Sequence, residues 1–458
     1  MAERKTTKIE IPEITRVEGH EAVYVDIEDD RVVDVRLDVF EGARFFEKLV
    51  EGNSYKEMPH ITSRVCAICS TGHVIAAIRA LEKIASFKPD HTTELLRELM
   101  HLGMIIESNA THLYALALPD FKGFKDVYQF ATEYATEFGI WTELRNTGAT
   151  IQTTIGGRPF HPVNLHAGGF SKYPSLNDLE LIESKIRSQI QNAMTTAEMF
   201  LGFEPPVKRT STPAFLALIP EGDHYGYFGD RVKSSTGFEA DVQDYREYLD
   251  EETVSHSHAK RSTFEGKPLM VGSLARLTLF FDRLRNRARG LYDASPLAKG
   301  ETNSILNNLG QAIEIVEAVD RALEITRELI VSFPQWHLSK SRQDLKPILE
   351  EGDRDSIRAV GTVECPRGTL YHEFTVDKKG LIKAANMITP SAQNTYRIEM
   401  DIREVVEECL KAEKIANKNE KDIQSILNKN LETLVRAYDP CNTCATHMVE
   451  VRYQKGKD

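Results

Sequence analysis

The sequence predicts an α+β fold that is mainly helical, in which a bundle of long helices forms the core and small β-rich parts lie at its ends. Two observations lead to this fold class. Apolar residues recur at helical spacing over several long stretches, whereas apolar and polar residues alternate near the N-terminus and again shortly before residue 390. The 458 residues, 41% of them apolar, are enough to bury a large core.

The first predicted elements are a hairpin and two long helices. Residues 21–38 alternate on both sides of an Asp-Asp pair, which is typical of a β-hairpin. A long helix follows and is predicted to end near Pro119. A second long helix is predicted with Asn177 as its N-cap and Gly202 at its end.

The second half of the chain adds two more helices and another hairpin. Apolar residues of the third helix fall roughly on one face, and these are Ile305, Leu309, Ile313, Val316 and Leu323. A hairpin is predicted to turn at Lys379-Gly380, and a fourth helix is predicted over about 401–437.

We interpret the chain as a single domain with a metal site in the interior of the helix bundle. Residues 221–269 are polar and irregular, so we expect a surface excursion with one β-rich patch there. The remaining parts are an N-terminal β-rich part (1–60), a helical core (61–220 and 270–447) and a C-terminal tail (448–458).

Composition excludes several classes of protein. The net charge of −12 argues against nonspecific nucleic-acid binding, which depends on clustered lysine and arginine. We find no apolar run near the ~20 residues that a membrane span requires, and the N-terminal residues do not resemble a secretory signal. Six cysteines are too few for a disulfide framework, so a reducing, cytoplasmic location is expected.

Two Cys-x-x-Cys pairs stand near opposite ends of the chain. Cys66 and Cys69 lie in SRVCAICSTGH, and Cys441 and Cys444 lie in YDPCNTCATH. Four thiolates at this spacing are a strong signal for a metal. Structural zinc usually staples a short loop, so ligands this far apart in sequence favour a site in the bundle core. A structural Zn(Cys)4 knot and two separate redox pairs remain as alternatives.

Both cysteine motifs resemble those of the large, catalytic subunit of nickel–iron (NiFe) hydrogenases. Four other stretches resemble further motifs of this family and occur in the same order as in the family: ITRVEGH, GGRPFHP, ECPRGTLYH and ITPSAQN. The residues of the stretches EGARFF and PSAQN most resemble those of the cytoplasmic, multi-subunit hydrogenases that are linked to NAD(P) or another carrier. Two departures stand out, because Ala67 replaces a common glycine and Cys365 replaces a common alanine.

The resemblance implies the chemistry of the metal site. Cys66 and Cys441 would be terminal nickel ligands, and Cys69 and Cys444 would bridge nickel to iron. The iron would carry carbon monoxide and cyanide ligands, and dihydrogen would be split heterolytically. A hydrogen-sensing homologue with little turnover remains an alternative, whereas a relative of the quinone-site subunit of respiratory complex I would lack the cysteine pairs.

The resemblance also assigns roles around the metals. Glu18 would relay protons and Arg367 would lie above the open metal position, held by Asp120. Taken alone, these three residues would be a solvated surface carboxylate, a loop arginine and a carboxylate at a helix end.

His73 and Pro366 would contact the cofactor, His73 through a hydrogen bond to a bridging sulfur. A core histidine whose hydrogen bonds are satisfied is the alternative for His73.

A second metal ion is implied near the C-terminus. Glu47, His447 and a backbone carbonyl near Met387 would bind magnesium or a similar cation, since carboxylate, carbonyl and water oxygens suit a hard ion. For Glu47 the alternative is a surface helix residue.

Partners are implied by the same resemblance. An iron–sulfur small subunit would accept the electrons, further subunits would bind flavin or NAD(P), and nickel-insertion proteins would load the site. A maturation endopeptidase would remove residues 448–458 by cutting after His447.

Overall fold

The chain is described from a computed structural model. The structure describes residues 6–29, 31–42, 45–124, 126–206, 211–338, 343, 355–411 and 420–446. His447 and the predicted tail, residues 448–458, lie outside the described residues, as do Ala43 and Arg44 of the EGARFF stretch.

Helices dominate the structure, with 54% helix against 20% strand, which confirms the mainly helical α+β class. The α-helices of the described residues are α1 (Phe46–Leu49), α2 (Met58–Thr62), α3 (Ser70–Ile84), α4 (His91–Thr111), α5 (Leu118–Lys122), α6 (Val127–Glu133), α7 (Ala135–Gly156), α8 (Leu176–Leu201), α9 (Ser273–Phe280), α10 (Asn286–Asp293), α11 (Asn307–Val331), α12 (Phe333–Trp336), α13 (Pro390–Lys411), α14 (Glu420–Ala437) and α15 (Asn442–Ala445).

Four long helices, α4, α7, α8 and α11, pack against one another and form the core of the bundle. The crossing of α4 and α7 is close because glycines face each other there. A Cβ atom on Gly148 would lie 2.4 Å from the carbonyl oxygen of Gly103, so only glycine permits this approach. The apolar face predicted for the third helix is buried in α11 and the turn before it.

Two helix boundaries differ from the prediction. Helix α8 begins two residues earlier than expected, because Ser175 is the N-cap and forms a capping box with Asp178, while Asn177 lies inside the first turn. The helix predicted over about 401–437 is found as two described helices, α13 and α14, and α13 begins at Pro390.

A π-helical segment, His112–Ala117, continues α4 into α5. Such segments widen a helix locally and often lie near functional sites. The His112 ring lies between α11 and α14, with one nitrogen hydrogen-bonded to the Gln311 side chain and Nε2 2.7 Å from the carbonyl oxygen of Arg436. The widened turn therefore fixes the C-terminal helix α14 against the bundle.

Small sheets surround the helices. The strands are β1 (Thr6–Ile11), β2 (Glu21–Glu28), β3 (Arg31–Val39), β4 (Leu165–His166), β5 (Gly169–Phe170), β6 (Ala214–Leu218), β7 (Arg231–Ser234), β8 (Glu239–Asp241), β9 (Leu249–Thr253), β10 (Lys260–Phe264), β11 (Leu269–Met270), β12 (Ser356–Cys365), β13 (Gly368–Asp377) and β14 (Ile382–Ile388). Both predicted hairpins are present, as β2–β3 and β13–β14. Each gains a further antiparallel strand, β1 or β12.

The segment 221–269 is more than the surface excursion that was predicted. It contains β7 to β11, and several of its apolar side chains are buried. These side chains pack with residues of β6 and of β12 to β14 in a second small hydrophobic core, which includes Leu216, Leu218, Val232, Val242, Tyr245, Tyr248, Leu249, Phe264, Val360, Tyr371 and Ile388. The segment therefore forms part of the wall around the β12–β13 hairpin.

Within the described part of the chain, no helix is long and apolar enough to cross a membrane.

Candidate metal centre

The four cysteines of the two pairs meet in the interior. Cys66 follows a 3-10 helix (Ser63–Val65), and Cys69 is the N-cap residue of α3. Cys441 and Cys444 lie at the start and inside of the short helix α15. Their sulfur atoms all lie within 4.8 Å of one another, and each residue is at most 4% exposed.

The two pairs interleave rather than remain separate. The Sγ atoms of Cys66 and Cys441 are 3.3 Å apart, those of Cys69 and Cys444 are 3.4 Å apart, and those of Cys441 and Cys444 are 3.0 Å apart. All four are free thiols in the structure. The arrangement argues against two independent redox pairs, because each cysteine of one pair has its sulfur within 3.4 Å of a sulfur of the other pair.

The C-terminal pair is held in place by the N-terminal part of the chain. The backbone of Glu18 pairs with that of Cys441 as an isolated parallel β-bridge, and the Asn442 N–H donates to the Glu18 carbonyl oxygen at 2.9 Å. On the other side, the Cys441 N–H donates to Ser391 Oγ at 2.9 Å. Residues from the start, the middle and the end of the described chain therefore form one site.

The donor set fits a metal centre. Hydrogen bonds from neighbouring sulfurs lower the pKa of Cys66, whereas burial raises the pKa of Cys444. Four thiolates without a cation would be strongly unfavourable in a buried pocket. Sulfur ligands suit soft and borderline metals such as nickel, iron and zinc. Among the described residues, these cysteines are the one cluster of Cys, His, Asp and Glu side chains arranged for a metal ion.

Glu18 contacts the cysteine cluster directly. The thiol of Cys441 donates to Glu18 Oε2 at 3.2 Å, and the hydroxyl of Thr443 donates to Oε1 at 2.6 Å. Burial, followed by the neighbouring Cys441, raises the pKa of the Glu18 carboxyl to about 8. This carboxyl can therefore exchange a proton near neutral pH.

Arg367 lies in the two-residue turn between β12 and β13 and is 4% exposed. Its Nε donates to the Asp439 carbonyl oxygen at 2.7 Å, and its Nη2 donates to Asp439 Oδ1 at 2.9 Å. Burial lowers the pKa of the guanidinium, but the charges of Asp439 and of the nearby cysteine sulfurs raise that pKa well above its usual value. Nη1 is buried and has no hydrogen-bond partner among the described residues.

The prediction that Asp120 holds Arg367 is wrong. Asp120 accepts hydrogen bonds from Arg16 Nη2 at 2.6 Å and from Arg436 at 2.7 and 2.8 Å. The π-helical segment and α5 bring Asp120 against α14, where Arg436 and Arg16 are the cations within reach. Asp439 binds Arg367 in the way that was predicted for Asp120. The sequence contained a signal for this contact, because Asp439 stands near the start of the C-terminal cysteine motif.

His73 and His372 form a buried pair beside the cysteines. Nδ1 of His73 lies 2.9 Å from Nε2 of His372, and Nε2 of His73 lies 3.7 Å from Cys444 Sγ. Burial and then the adjacent His73 lower the pKa of His372 well below its usual value, so this ring is neutral. Pro366 precedes Arg367 in the same turn, and its carbonyl oxygen accepts a hydrogen bond from Nη2 of Arg276.

Two of the three residues predicted to bind a second cation, Glu47 and Met387, lie near Cys444. Glu47 Oε1 accepts the Met387 N–H at 2.9 Å, and Lys260 Nζ lies 3.3 Å from the same oxygen. A small cavity of about 40 Å³ is lined by Glu47, Met387, Cys444 and Thr446, among others. The third predicted ligand, His447, lies outside the described residues.

Comparison with known proteins gives a consistent result. The family model described as nickel-dependent hydrogenase matches residues 44–140 and 217–447. The α subunit of sulfhydrogenase 1 from Pyrococcus furiosus is 36% identical over 97% of this chain and 98% of its own length. The β subunit of the NAD-reducing hydrogenase HoxS from Cupriavidus necator is 26% identical over 96% of this chain and 94% of its own length.

Solved structures agree with the sequence relatives. An NAD+-reducing NiFe hydrogenase in the H2-reduced state superimposes with a TM-score of 0.81 at 25% identity, covering 96% of this chain and 99% of that one. A NiFeSe hydrogenase from Dm. baculatum shares the fold, with a TM-score of 0.68 at 20% identity. Similarity over nearly the entire length argues against a structural zinc knot in an unrelated fold.

We predict that Cys66, Cys69, Cys441 and Cys444 are each essential for metal binding. Replacement of any of them by serine should remove nickel and all hydrogen-dependent activity, because a hydroxyl does not replace a thiolate ligand at neutral pH. Cys409→Ser is the control, since Cys409 is buried in α13 beside Asn430 and should tolerate the change. Elemental analysis of the natively matured variants decides the matter. One zinc per wild-type chain with no nickel, or equal damage from Cys409→Ser, would contradict this assignment.

Proposed function

The chain belongs to the nickel-dependent hydrogenase family as a catalytic large subunit acting on dihydrogen, and we propose that partner subunits couple it to NAD(P) or another soluble carrier. The four interleaved cysteines carry the hydrogenase assignment, because they supply a buried thiolate set that the family match covers. The carrier proposal is supported by relatives whose names specify NAD reduction. A cytoplasmic location is proposed with it, since NAD(P) is a soluble carrier.

We further propose that Cys66, Cys69, Cys441 and Cys444 hold a nickel–iron centre whose iron carries carbon monoxide and cyanide. Following the motif positions, Cys66 and Cys441 would be terminal nickel ligands, and the other two would be bridging. When bound, the centre supplies heterolytic cleavage of dihydrogen. The chain supplies a buried pocket, a positive charge from Arg367 and the Glu18 carboxyl, which contacts Cys441.

Magnesium or a similar cation is proposed beside this centre. Glu47, a carbonyl near Met387 and His447 would be its ligands. Support comes from the position of Glu47 at a cavity that Met387 and Cys444 also line. A cavity of this size can hold a cation or a water molecule, and the carboxylate of Glu47 is an oxygen ligand of the kind that a hard cation prefers. Elemental analysis of the matured protein should find magnesium at about one per chain, and its absence would remove this second site.

Glu18 is proposed as the first proton acceptor beyond the cysteines. Its carboxylate is the side-chain acceptor that Cys441 Sγ contacts at 3.2 Å, and Thr443 fixes its orientation through the hydroxyl and the backbone N–H. A proton leaving Cys441 therefore has a direct route to Glu18. Arg367 contributes positive charge to the pocket and has no proton to give at neutral pH.

Replacement of Glu18 by glutamine should preserve the metals but block proton transfer, because an amide cannot cycle a proton. We expect hydrogen–deuterium exchange and hydrogen oxidation each to fall at least about 10²-fold, at the lower end of the usual contribution of a general acid–base group.

The matched control for this experiment is Glu21→Gln. Glu21 is also buried, and burial raises its pKa to about 8 as well, although the adjacent Asn442 side chain lowers that pKa. Among the described residues, no hydrogen bond joins Glu21 to a cysteine. This variant should keep activity within about twofold, which is near the scatter expected for a site outside the reaction. Wild-type exchange rates in Glu18→Gln would exclude Glu18 as the main proton route.

Electrons released at the centre require a second subunit. Only Cys365 and Cys409 remain after the four ligands, and two thiols cannot hold a four-cysteine iron–sulfur cluster. The names of the relatives as α and β subunits support a multi-subunit complex. We therefore propose an iron–sulfur small subunit as the direct partner, with flavin- or NAD(P)-binding subunits beyond it.

The matured chain purified alone should show no sustained reduction of a dye by hydrogen, whereas the complete complex should reduce NAD+ or NADP+ with hydrogen. The reason is that the isolated chain has no cluster through which electrons can leave. Adding back the iron–sulfur subunit should restore dye reduction. Full turnover by the isolated chain would disprove the need for the partner, and a complex that reduces dyes but neither nucleotide would disprove the carrier.

Maturation is proposed to include nickel-insertion proteins and an endopeptidase that cuts between His447 and Met448. Two observations support the position of the cut. The family match ends at residue 447, and Thr446 pairs with Ala259 in an isolated β-bridge next to the cysteines. The eleven residues that follow include five charged side chains, which would be costly to bury beside the centre.

Intact-mass measurement of the active protein should therefore find a chain that ends at His447. The precursor with all 458 residues should contain less nickel. A useful control is the Cys441→Ser variant, which should retain the tail because its site cannot be completed. Full activity in a full-length chain would show that this protein matures without the cut.

A further inference from the structure

The backbone that carries Arg367 is a tight turn. Cys365 and Gly368 are the last paired residues of β12 and β13, and Pro366 and Arg367 form the two-residue connection. The Asp439 contacts fix the outer end of the Arg367 side chain. They do not fix the backbone from which it starts, so the guanidinium is positioned only if the turn itself is held.

Arg276 of α9 holds this turn from behind. Its Nη1 donates to the Cys365 carbonyl oxygen at 2.9 Å and to Glu364 Oε2 at 2.8 Å. Its Nη2 donates to the Pro366 carbonyl oxygen at 3.1 Å. One guanidinium therefore contacts three successive residues that lead directly to Arg367, and it is 1% exposed.

The position of Arg276 is itself fixed by a carboxylate on α11. Glu314 accepts from Arg276 Nε at 2.6 Å and from Nη2 at 2.8 Å, and Tyr225 donates to the same carboxylate at 2.6 Å. Together with the turn, these acceptors satisfy every N–H group of the guanidinium. Glu364 and Glu314 are both fully buried, and each forms an ion pair with Arg276.

The backbone in front of α9 leaves the turn no room to shift. Gly272 has φ of +115°, and a Cβ atom there would lie 3.2 Å from the Arg367 carbonyl oxygen. A Cβ atom on Gly368 would lie 2.4 Å from the Val271 side chain. The Asn394 side chain accepts the Val271 N–H at 2.9 Å, which ties this segment to α13.

We propose that Arg276 is a positioning residue of the hydrogenase centre: it locks the Pro366–Arg367 turn and thereby keeps the Arg367 guanidinium beside the four cysteines. This inference rests on the proposed role of Arg367. Lysine cannot replace Arg276, because an ammonium group lacks the planar fork that reaches two carbonyls and two carboxylates at once.

The first test is Arg276→Lys in the complete, matured complex. Amide hydrogen exchange measured by mass spectrometry should rise at least about tenfold in the peptide covering 361–372, as expected when about 1.4 kcal/mol of local stabilisation is lost. Hydrogen oxidation should fall about 10²-fold, the cost of a displacement of about 1 Å at a reacting site, while nickel content stays at the wild-type level.

Arg97→Lys is the matched control. Arg97 is equally buried and binds Glu82 through two hydrogen bonds, at 2.7 and 2.8 Å, but it touches no residue of the turn. It should leave both the exchange of peptide 361–372 and the activity per nickel near the wild-type values. An equal effect of both variants would mean that Arg276 merely stabilises the fold, and would overturn the proposal.

A double-mutant cycle with Arg367→Lys tests the route of the effect. If Arg276 acts through Arg367, then Arg276→Lys should change the residual activity of Arg367→Lys by less than about twofold. Full additivity of the two losses would overturn the proposal. Should Arg276→Lys fail to mature, Glu314→Gln loosens the same guanidinium more gently, and the same local rise in exchange with at least about a fivefold loss of activity is expected.

Unchanged exchange in peptide 361–372 for Glu314→Gln would likewise overturn the proposal. The exchange measurement does not depend on catalysis. A wild-type complex without hydrogenase activity would therefore disprove the proposed function. Amide hydrogen exchange in peptide 361–372 would still show whether Arg276 holds the turn in place.

Discussion

The burial of four sulfur atoms in one pocket is the constraint on which the rest of the site depends. Negative charge at this depth has to be balanced, and metal cations together with Arg367 provide the positive charge. A buried arginine needs its own acceptor, which Asp439 provides, and Gln311 donates to the second oxygen of Asp439 at 3.1 Å. The cysteines therefore require the positive charge of Arg367, and Arg367 requires Asp439. Removal of either residue leaves its partner buried without an opposite charge.

The helix bundle makes this balance possible because it supplies partners from several directions at fixed positions. Helix α3 begins directly after Cys69, α11 contributes Gln311 and Glu314, and α14 ends four residues before Cys441. The sheets contribute the backbone turn that carries Arg367. A loop alone would have to give up far more conformational entropy to hold the same groups.

Local sequence patterns predicted the elements well, and the cysteine pairs indicated the centre. The patterns could not choose between partners that come together only in the folded chain. Several arginines could have paired with Asp120, and the two that bind it, Arg16 and Arg436, lie 104 and 316 positions away in sequence. No sequence motif marked Arg276. A lone arginine on a short helix is usually exposed, so the sequence did not predict that Arg276 is buried. Segment 221–269 was misjudged because its buried side chains, such as Tyr245 and Leu249, stand among charged residues that face outward.

The distance in sequence between the two cysteine pairs has a consequence for biosynthesis. Cys66 leaves the ribosome 375 residues ahead of Cys441, and the β-bridge from Glu18 cannot close until the last segment has emerged. A nascent chain therefore presents only two of the four thiols of the metal site until Cys441 has emerged. All four sulfurs can bind a metal only after the segment with Cys441 and Cys444 has been translated. The order of the sequence therefore prevents unfinished chains from forming the complete metal site.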